Sequence, residues 1–591
     1  MAAQRTALDP APLQPTRCDP ICADGKRGWW SELDRLTHAV EGQFTWGLSP
    51  AAVSLAALDW SMHLANAPFL RARLAQYGME GAQAFWRSVW TGVPARKPSP
   101  QDRRFRSPDW RVPPFSWAEQ AFLLMEDWWA EATRGVPGVD PLHDRVVCFA
   151  ARQWLDTLSP SNFPWLNPEV IVRTAKAGGG NFYTGARAFL HDYERLLKGG
   201  EPEFGNHAVG RDLAVTPGKV VFRNELIELL QYEPETAKVF AEPVLIVPAW
   251  IMKYYVLDLS QTNSLVKYLV DQGFTVFCIS WRNPGPEQRG LSFEDYRVLG
   301  FEAALQAALE ITGSPRVHAC GYCLGGTLLA IAAAERAEPR GDVFASLTFI
   351  AAQVDFTEAG ELQLFINDSQ VDFIEDMMEV QGYLDGRQMG GTFQLLRSND
   401  LIWSRAVHAY MKGEQRMPTD LKAWVADVTR MPACMHSQYL RCLFLNDQLA
   451  KGRFEAGGRA ISIADIKAPM FVVGIEKDHI APWRSVYRFH VLNDGEITFV
   501  LASGGHNVGV VAAPGGPKAH YWIHTRPLGE PHVSPDEWRG IAEAVDGSWW
   551  PGWTAWLAKR SSGQVKAKAA GAPGRGYPPL ADAPGAYVLE S

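Results

Sequence analysis

The segment Gly321-Tyr322-Cys323-Leu324-Gly325-Gly326 constrains the fold more than any other part of this 591-residue chain. It follows a short apolar run at residues 317–320 and precedes a helical pattern at residues 325–336. Glycines two residues before and two residues after a nucleophile leave room for a tight turn between a strand and a helix. We therefore predict that Cys323 stands on a strained turn at the end of a buried strand. The alternative is a buried cysteine in a glycine-rich turn.

Strand and helix patterns alternate through the second half of the chain. Apolar runs typical of buried strands occur at residues 244–247, 276–279, 317–320, 347–350, 470–473 and 497–501. Helical patterns lie between them at residues 263–271, 301–312 and 325–336. Such alternation is typical of an α/β protein with a parallel sheet that is covered on both faces. Together with the turn at Cys323, it predicts an α/β-hydrolase fold.

Three regions are expected along the chain. Residues 1–28 are polar and proline-rich, which predicts a disordered tail. Residues 29–200 predict a helical N-terminal domain, rich in tryptophan, that either packs its helices together or docks a partner, a granule or a hydrophobic product. Residues 201–591 form the predicted catalytic domain. Within it residues 351–466 lack strand patterns, and this insertion would lie as a lid over the carboxyl ends of the strands.

A thiol nucleophile needs a base, and the base needs an orienting acid. In this architecture the order along the chain is nucleophile, acid, histidine. Asp478 follows the apolar run at 470–473, and His506 follows the run at 497–501, so we assign Cys323, Asp478 and His506. Glu476 is an alternative acid and Cys320 an alternative thiol.

Two backbone N–H groups are candidates for an oxyanion hole. One belongs to Leu324, directly after the nucleophile. The second should follow the apolar run at 244–247, between Ala249 and Ile251. We predict that it is the backbone N–H of Trp250. His479 adjoins the acid, where it would orient Asp478, contact the substrate, or serve as an ordinary loop histidine.

Composition excludes several classes of protein. A formal net charge of -8 argues against a general nucleic-acid binder. No run of 18 or more apolar residues occurs, so no transmembrane segment is expected, and no signal peptide is recognisable. The eight cysteines are scattered, which fits a reducing cytosol. Cys18 and Cys22 are a weak zinc candidate, and no metal or cofactor is expected.

Several motifs, in the right order, resemble the polyhydroxyalkanoate synthase family of the single-subunit, class I-like kind. Besides the turn at Cys323, the matching segments are Pro248-x-x-Ile251-x-Lys253-Tyr254-Tyr255, Ser280-Trp281-Arg282-Asn283-Pro284, Asn399-Asp400-Leu401-Ile402-Trp403, Gly547-Ser548-Trp549-Trp550-Pro551 and Ala583-Pro584-Gly585-Ala586-Tyr587-Val588. Two positions depart from the family pattern: Gly285 stands where aspartate is usual, and Val425 where asparagine is usual. They affect the expected substrate range rather than the reaction class.

The resemblance implies polymerisation of (R)-3-hydroxyacyl-CoA (poly-3-hydroxybutyrate being one such product) into polyester, with release of CoA and a covalent thioester on Cys323. His506 would accept the thiol proton, and Asp478 would orient His506 or help to activate the substrate hydroxyl. The resemblance also implies a homodimer in the cytoplasm, associated with the growing polyester chain and the granule surface. A thioesterase or polyester depolymerase on the same fold is one alternative. A non-catalytic granule-coating scaffold is another.

Overall fold

The computed structural model describes residues 29–45, 47–100, 102–197, 205, 207–337, 343–386, 388–391, 398–414, 418–516 and 519–591. The predicted N-terminal tail at 1–28, and with it the zinc candidate Cys18 and Cys22, lies outside the described residues.

The N-terminal region is helical, as predicted. Its helices are α1 (Trp29–Thr45), α2 (Pro50–Ala65), α3 (Pro68–Thr91), α4 (Phe115–Thr133), α5 (Pro141–Leu158), α6 (Pro168–Ala177) and α7 (Gly180–Leu197). Local sequence explains several of the starts: Ser49, Asp140 and Asn167 each accept a backbone N–H of the first turn, and each is followed by proline. Left-handed glycines, Gly92 and Gly178, end α3 and α6.

One large sheet organises the rest of the described chain. Its strands are β1 (Gly218–Arg223), β2 (Ile227–Tyr232), β3 (Val244–Val247), β4 (Val276–Trp281), β5 (Val317–Tyr322), β6 (Phe344–Ile350), β7 (Met470–Ile475), β8 (Ile497–Ala502), β9 (His520–Arg526), β10 (Glu543–Asp546) and β11 (Ala581–Asp582). Their spatial order is β10-β9-β8-β7-β6-β5-β3-β4-β2-β1-β11. All six apolar runs seen in the sequence are strands of this sheet.

The expectation of a parallel sheet is correct only for its centre. Strands β4, β3, β5, β6, β7 and β8 pair in parallel. The outer strands β1, β2, β9, β10 and β11 join antiparallel. The exposed residues within β1, β9 and β10 explain why a search for continuous apolar runs does not find these strands.

Helices cover both faces of the sheet. They are α8 (Leu265–Asp271), α9 (Ala303–Thr312), α10 (Leu324–Arg336), α11 (Asp368–Gln381), α12 (Asp420–Ala426), α13 (Ala433–Gln438), α14 (His506–Val510), α15 (Pro535–Ile541) and α16 (Trp550–Ala558). Further α-helical turns of three or four residues lie at Phe293–Asp295, Ser404–Ala406, Trp483–Val486 and Phe489–Leu492. Two hydrophobic cores result, one on each face. None of these described helices combines the length and the apolar character needed to cross a bilayer.

The segment between β6 and β7 holds α11, α12 and α13 with π-helical turns at Asn399–Trp403, Val407–Met411 and Tyr439–Leu445. It also contains two short strand pairs, Tyr383–Leu384 with Met431–Pro432 and Glu455–Ala456 with Arg459–Ala460. Outside it, two more pairs are Lys238–Phe240 with Gln564–Lys566 and Asp258–Ser260 with Asn263–Ser264.

Candidate active site

Cys323 occupies the turn between β5 and α10. Its backbone has φ 51° and ψ −125°, a region that residues other than glycine rarely adopt. The N–H of Cys323 donates to Ile350 O on the neighbouring strand β6 at 2.9 Å, which ties the turn to the sheet. Backbone strain of this kind persists only where the surroundings over-determine it, and it raises the side chain at the end of the strand.

The glycines around Cys323 are required by close packing. A Cβ on Gly321 would lie 2.4 Å from Gly326 Cα, and a Cβ on Gly325 would lie 2.2 Å from Val247 O. The contact of Gly325 brings the start of α10 directly against the end of β3. Both candidate oxyanion segments therefore meet beside Cys323.

Asp478 and His506 come together as the chain order predicts. His506 Nδ1 lies 2.6 Å from Asp478 Oδ2, and both residues are buried. The other carboxylate oxygen of Asp478 accepts the N–H groups of Ile480 and Ala481, each at 2.9 Å. Three hydrogen bonds thus fix the carboxylate, and it in turn fixes the orientation of the imidazole.

The surroundings of His506 make it a stronger base than an ordinary histidine. Burial lowers the pKa of His506, but the charge of Asp478 and the hydrogen bonds to Asp478 and Cys323 outweigh burial and hold the pKa well above its usual value. The imidazole that contacts the Cys323 thiol is therefore suited to accept its proton.

The candidate oxyanion residues lie on the two segments that Gly325 holds together. Leu324 is the first residue of α10, where no helical carbonyl is placed to accept its N–H. Trp250 follows β3, and its ring packs against Trp281, Phe293 and Tyr296. Trp250 O accepts the Thr429 hydroxyl at 2.7 Å, so the inserted segment holds this loop.

The alternative residues face elsewhere. Glu476 is partly exposed and pairs with Arg539 at 2.6 Å. Cys320 is 1 % exposed within β5, and burial raises the pKa of its thiol well above the usual range. His479 O accepts the N–H of Glu361, so the backbone next to Asp478 contacts the inserted segment.

Three residues near the site were not predicted from the sequence. Tyr439, from the inserted segment, is buried close enough to Cys323 for that thiol to contribute, after burial, to the raised pKa of the phenol. The Tyr322 hydroxyl donates to Asn507 Oδ1 at 2.8 Å, and the Tyr322 ring lies 5.7 Å from that of His506. Tyr322 and Asn507 are each adjacent in sequence to a predicted site residue, and this adjacency is the sequence feature that could have indicated their contact.

Family models cover most of this chain. Residues 30–69 match the model described as poly-beta-hydroxybutyrate polymerase N terminal, and residues 101–269 match poly-beta-hydroxybutyrate polymerase (PhaC) N-terminus. Residues 242–513 match the alpha/beta hydrolase fold, in agreement with the sheet and the turn at Cys323. The helical N-terminal region and the α/β-hydrolase fold are both confirmed.

Relatives extend the match over nearly the whole chain. The poly(3-hydroxyalkanoate) polymerase of Methylorubrum extorquens is 41% identical over 516 residues, covering 85% of this chain and 84% of that protein. Polymerase subunits are 38% identical in Rhizobium meliloti, covering 82% and 79%, and 35% identical in Cupriavidus necator, covering 95% and 94%. The chain is thus an enzyme that belongs to the poly(3-hydroxyalkanoate) polymerase family.

Proposed function

We propose that this protein polymerises (R)-3-hydroxyacyl-CoA into polyhydroxyalkanoate, with Cys323 as nucleophile. The observation that carries the proposal is the contact of Cys323, on its strained turn, with the buried His506–Asp478 pair. Polymerase relatives at 35–41% identity supply the substrate class. Assembly as a homodimer at the surface of polyester granules belongs to the same proposal.

The first half-reaction loads the enzyme. His506 accepts the proton of the Cys323 thiol, and the sulfur attacks the thioester carbonyl of the acyl-CoA. The N–H groups of Leu324 and Trp250 stabilise the negative charge on the carbonyl oxygen. The bond to the CoA sulfur then breaks, CoA takes the proton from His506, and the acyl group remains on Cys323 as a thioester.

The second half-reaction extends the chain. A 3-hydroxyl group gives its proton to His506 and attacks the acyl-Cys323 carbonyl. The new ester forms, the bond to Cys323 breaks, and the thiolate recovers its proton from His506. Asp478 holds the imidazole in the orientation that both steps require.

Exclusion of water decides whether the product is polymer or free acid. The inserted segment supplies Tyr439 near Cys323 and Thr429 to the Trp250 loop, so it is placed to shield the acyl-enzyme. A variant without this segment is expected to release more free acid relative to polymer. An unchanged ratio would contradict the shielding role.

The direct test supplies purified protein with (R)-3-hydroxybutyryl-CoA and follows loss of the thioester together with the product. CoA release with insoluble polymer is expected, and longer acyl chains are tried if the four-carbon substrate does not react. Release of free acid alone would identify a thioesterase, and no release from any acyl length would favour a scaffold.

Cys323→Ala should abolish polymer formation because no other group can carry the acyl chain. The matched control is Cys320→Ala, which removes a buried thiol three residues away, on the strand that leads into the Cys323 turn. It should keep most of the activity, since this change deletes one small side-chain atom from the core. Polymer formation by Cys323→Ala, or its loss in Cys320→Ala with the fold intact, would reverse the assignment.

A further inference from the structure

The helix that carries the candidate base is too short to hold itself in place. Helix α14 spans His506–Val510, and isolated helices of this length are unstable. Its carbonyl groups at the C-terminal end have no partner within the helix. Something outside the helix must therefore fix the position of His506 relative to Cys323.

Two indole groups bind that unpaired end. Trp549 Nε1 donates to Gly509 O at 2.9 Å, and Trp550 Nε1 donates to Val510 O at 3.0 Å. Both tryptophans are 1 % exposed, so these bonds are shielded from water. They belong to the Gly547–Pro551 motif, which the reaction steps above do not use.

The other end of α14 is bound by Tyr322. Its hydroxyl donates to Asn507 Oδ1 at 2.8 Å. Because Tyr322 precedes Cys323 and Asn507 follows His506, this one bond links the nucleophile turn to the base helix. Tyr322, Trp549 and Trp550 all belong to the same one of the two hydrophobic cores that flank the sheet.

We infer that Tyr322, Trp549 and Trp550 are positioning residues that hold α14 so that His506 meets the Cys323 thiol. The inference rests on the proposed function for the roles of Cys323 and His506. It assigns to the tryptophan motif a role in aligning the base rather than in binding substrate.

Helix α16 provides its own controls. Trp553 Nε1 donates to Thr348 Oγ1 at 2.9 Å and Trp556 Nε1 donates to Thr498 Oγ1 at 3.0 Å. These two indoles bind strands of the sheet and not α14. Trp553 is 0 % exposed, so Trp553→Phe costs the fold a buried indole as Trp549→Phe and Trp550→Phe do.

The test measures alkylation of Cys323 by iodoacetamide at pH 7 in the full-length protein, followed by mass spectrometry of the Cys323 peptide. His506→Ala sets the rate of the thiol without its base. We expect Trp549→Phe and Trp550→Phe to slow alkylation by about tenfold, because small misplacement of a reacting group is costly. Trp553→Phe should stay within about twofold of the unmodified chain, although all three lose thermal stability.

Equal alkylation rates in Trp549→Phe, Trp550→Phe and Trp553→Phe would overturn the inference while leaving the proposed function intact. Equal rates in His506→Ala and the unmodified chain would remove the pairing on which both rest. If the tryptophan variants fail to fold, Tyr322→Phe deletes only the hydroxyl and should slow alkylation about threefold to tenfold. Its control is Tyr487→Phe, whose hydroxyl donates to Val533 O at 3.0 Å, and equal rates in these two variants would also overturn the inference.

Discussion

At the scale of single residues, two acids on one loop differ because of what each faces. Asp478 is buried with three hydrogen bonds, one of them to His506. Glu476 lies two residues away and pairs with Arg539 near the surface. The chain turns at residues 476–477, directly after β7, so the two acids leave the backbone in different directions and need not share a role.

Asp478→Asn should lower the rate of polymer formation by about 10²- to 10⁴-fold. The neutral amide removes the charge that raises the pKa of His506 and allows the wrong tautomer of the ring. Initial rates of thioester loss at saturating substrate measure the effect.

The matched control is Glu476→Gln, which removes a surface ion pair worth at most about 1 kcal/mol. Its rate should stay within about twofold of the unmodified chain. A larger loss in Glu476→Gln than in Asp478→Asn would exchange the roles of the two acids.

The structure brings Cys323, Asp478 and His506 together, and this juxtaposition was predictable because chain order and strand ends restrict the candidates so strongly. The position of Tyr439 near the Cys323 thiol was not predictable. It reaches the site from a segment without strand patterns, and its position depends on how that segment folds back. The bond between Tyr322 and Asn507 was hidden for a similar reason, since it joins two segments 185 residues apart.

At the scale of elements, the contact between α10 and β3 builds the candidate oxyanion hole. Helix α10 can approach β3 only because Gly325 has no side chain. The central strands and helices were predictable from their apolar patterns. The antiparallel outer strands were not. Strands β1, β9 and β10 expose some of their residues, and the buried β2 contains the polar residues Glu228 and Gln231, so none of these strands gives a continuous apolar run.

Gly325→Ala tests this packing. The new Cβ would meet two backbone oxygens, those of Val247 and Pro248, at 2.2 and 2.5 Å, and backbone atoms cannot yield as a flexible side chain can. We expect kcat to fall by about 10²-fold, because displacement of α10 misplaces the N–H of Leu324. Initial rates across substrate concentrations separate this effect from a change in KM.

Gly540→Ala is the control, because a Cβ at Gly540 on α15 meets open space. It should keep full activity and gain slightly in helix stability. Full activity in Gly325→Ala would show that the contact is not needed for the reaction.

At the scale of the whole molecule, buried histidines predict sensitivity to acid. Burial lowers the pKa of His318 to about 4 and those of His436 and His490 to about 3. In the unfolded chain all three would titrate near 6.5. Below pH 6.5 these three histidines therefore bind protons in the unfolded state but stay neutral in the folded state. The stability that is present above pH 6.5 is lost as pH falls toward 4.

We expect the free energy of unfolding to fall as pH drops from 6.5 to 5, with a slope that approaches about 1.4 kcal/mol per pH unit for each such histidine. Urea unfolding at several pH values measures the slope. His490→Phe should reduce it, whereas His191→Phe, whose ring is 74 % exposed, should leave it unchanged. A stability that does not change between pH 6.5 and pH 5 would contradict this origin.

The N-terminal helices contact the inserted segment directly, although more than 300 residues of chain separate them. The guanidinium of Arg35 on α1 pairs with Glu379 on α11, and His38 Nδ1 lies 2.8 Å from Asp376. The N–H of Ser49 donates to the Gln370 side chain at 2.7 Å. Because α1 and α2 are joined to the inserted segment through the same chain, their binding to it is intramolecular. The fraction bound depends on the effective concentration that the connecting chain sets, as well as on these contacts. Dissociation of these two helices would free one face of α11 without breaking any covalent bond, and rebinding would need no second molecule.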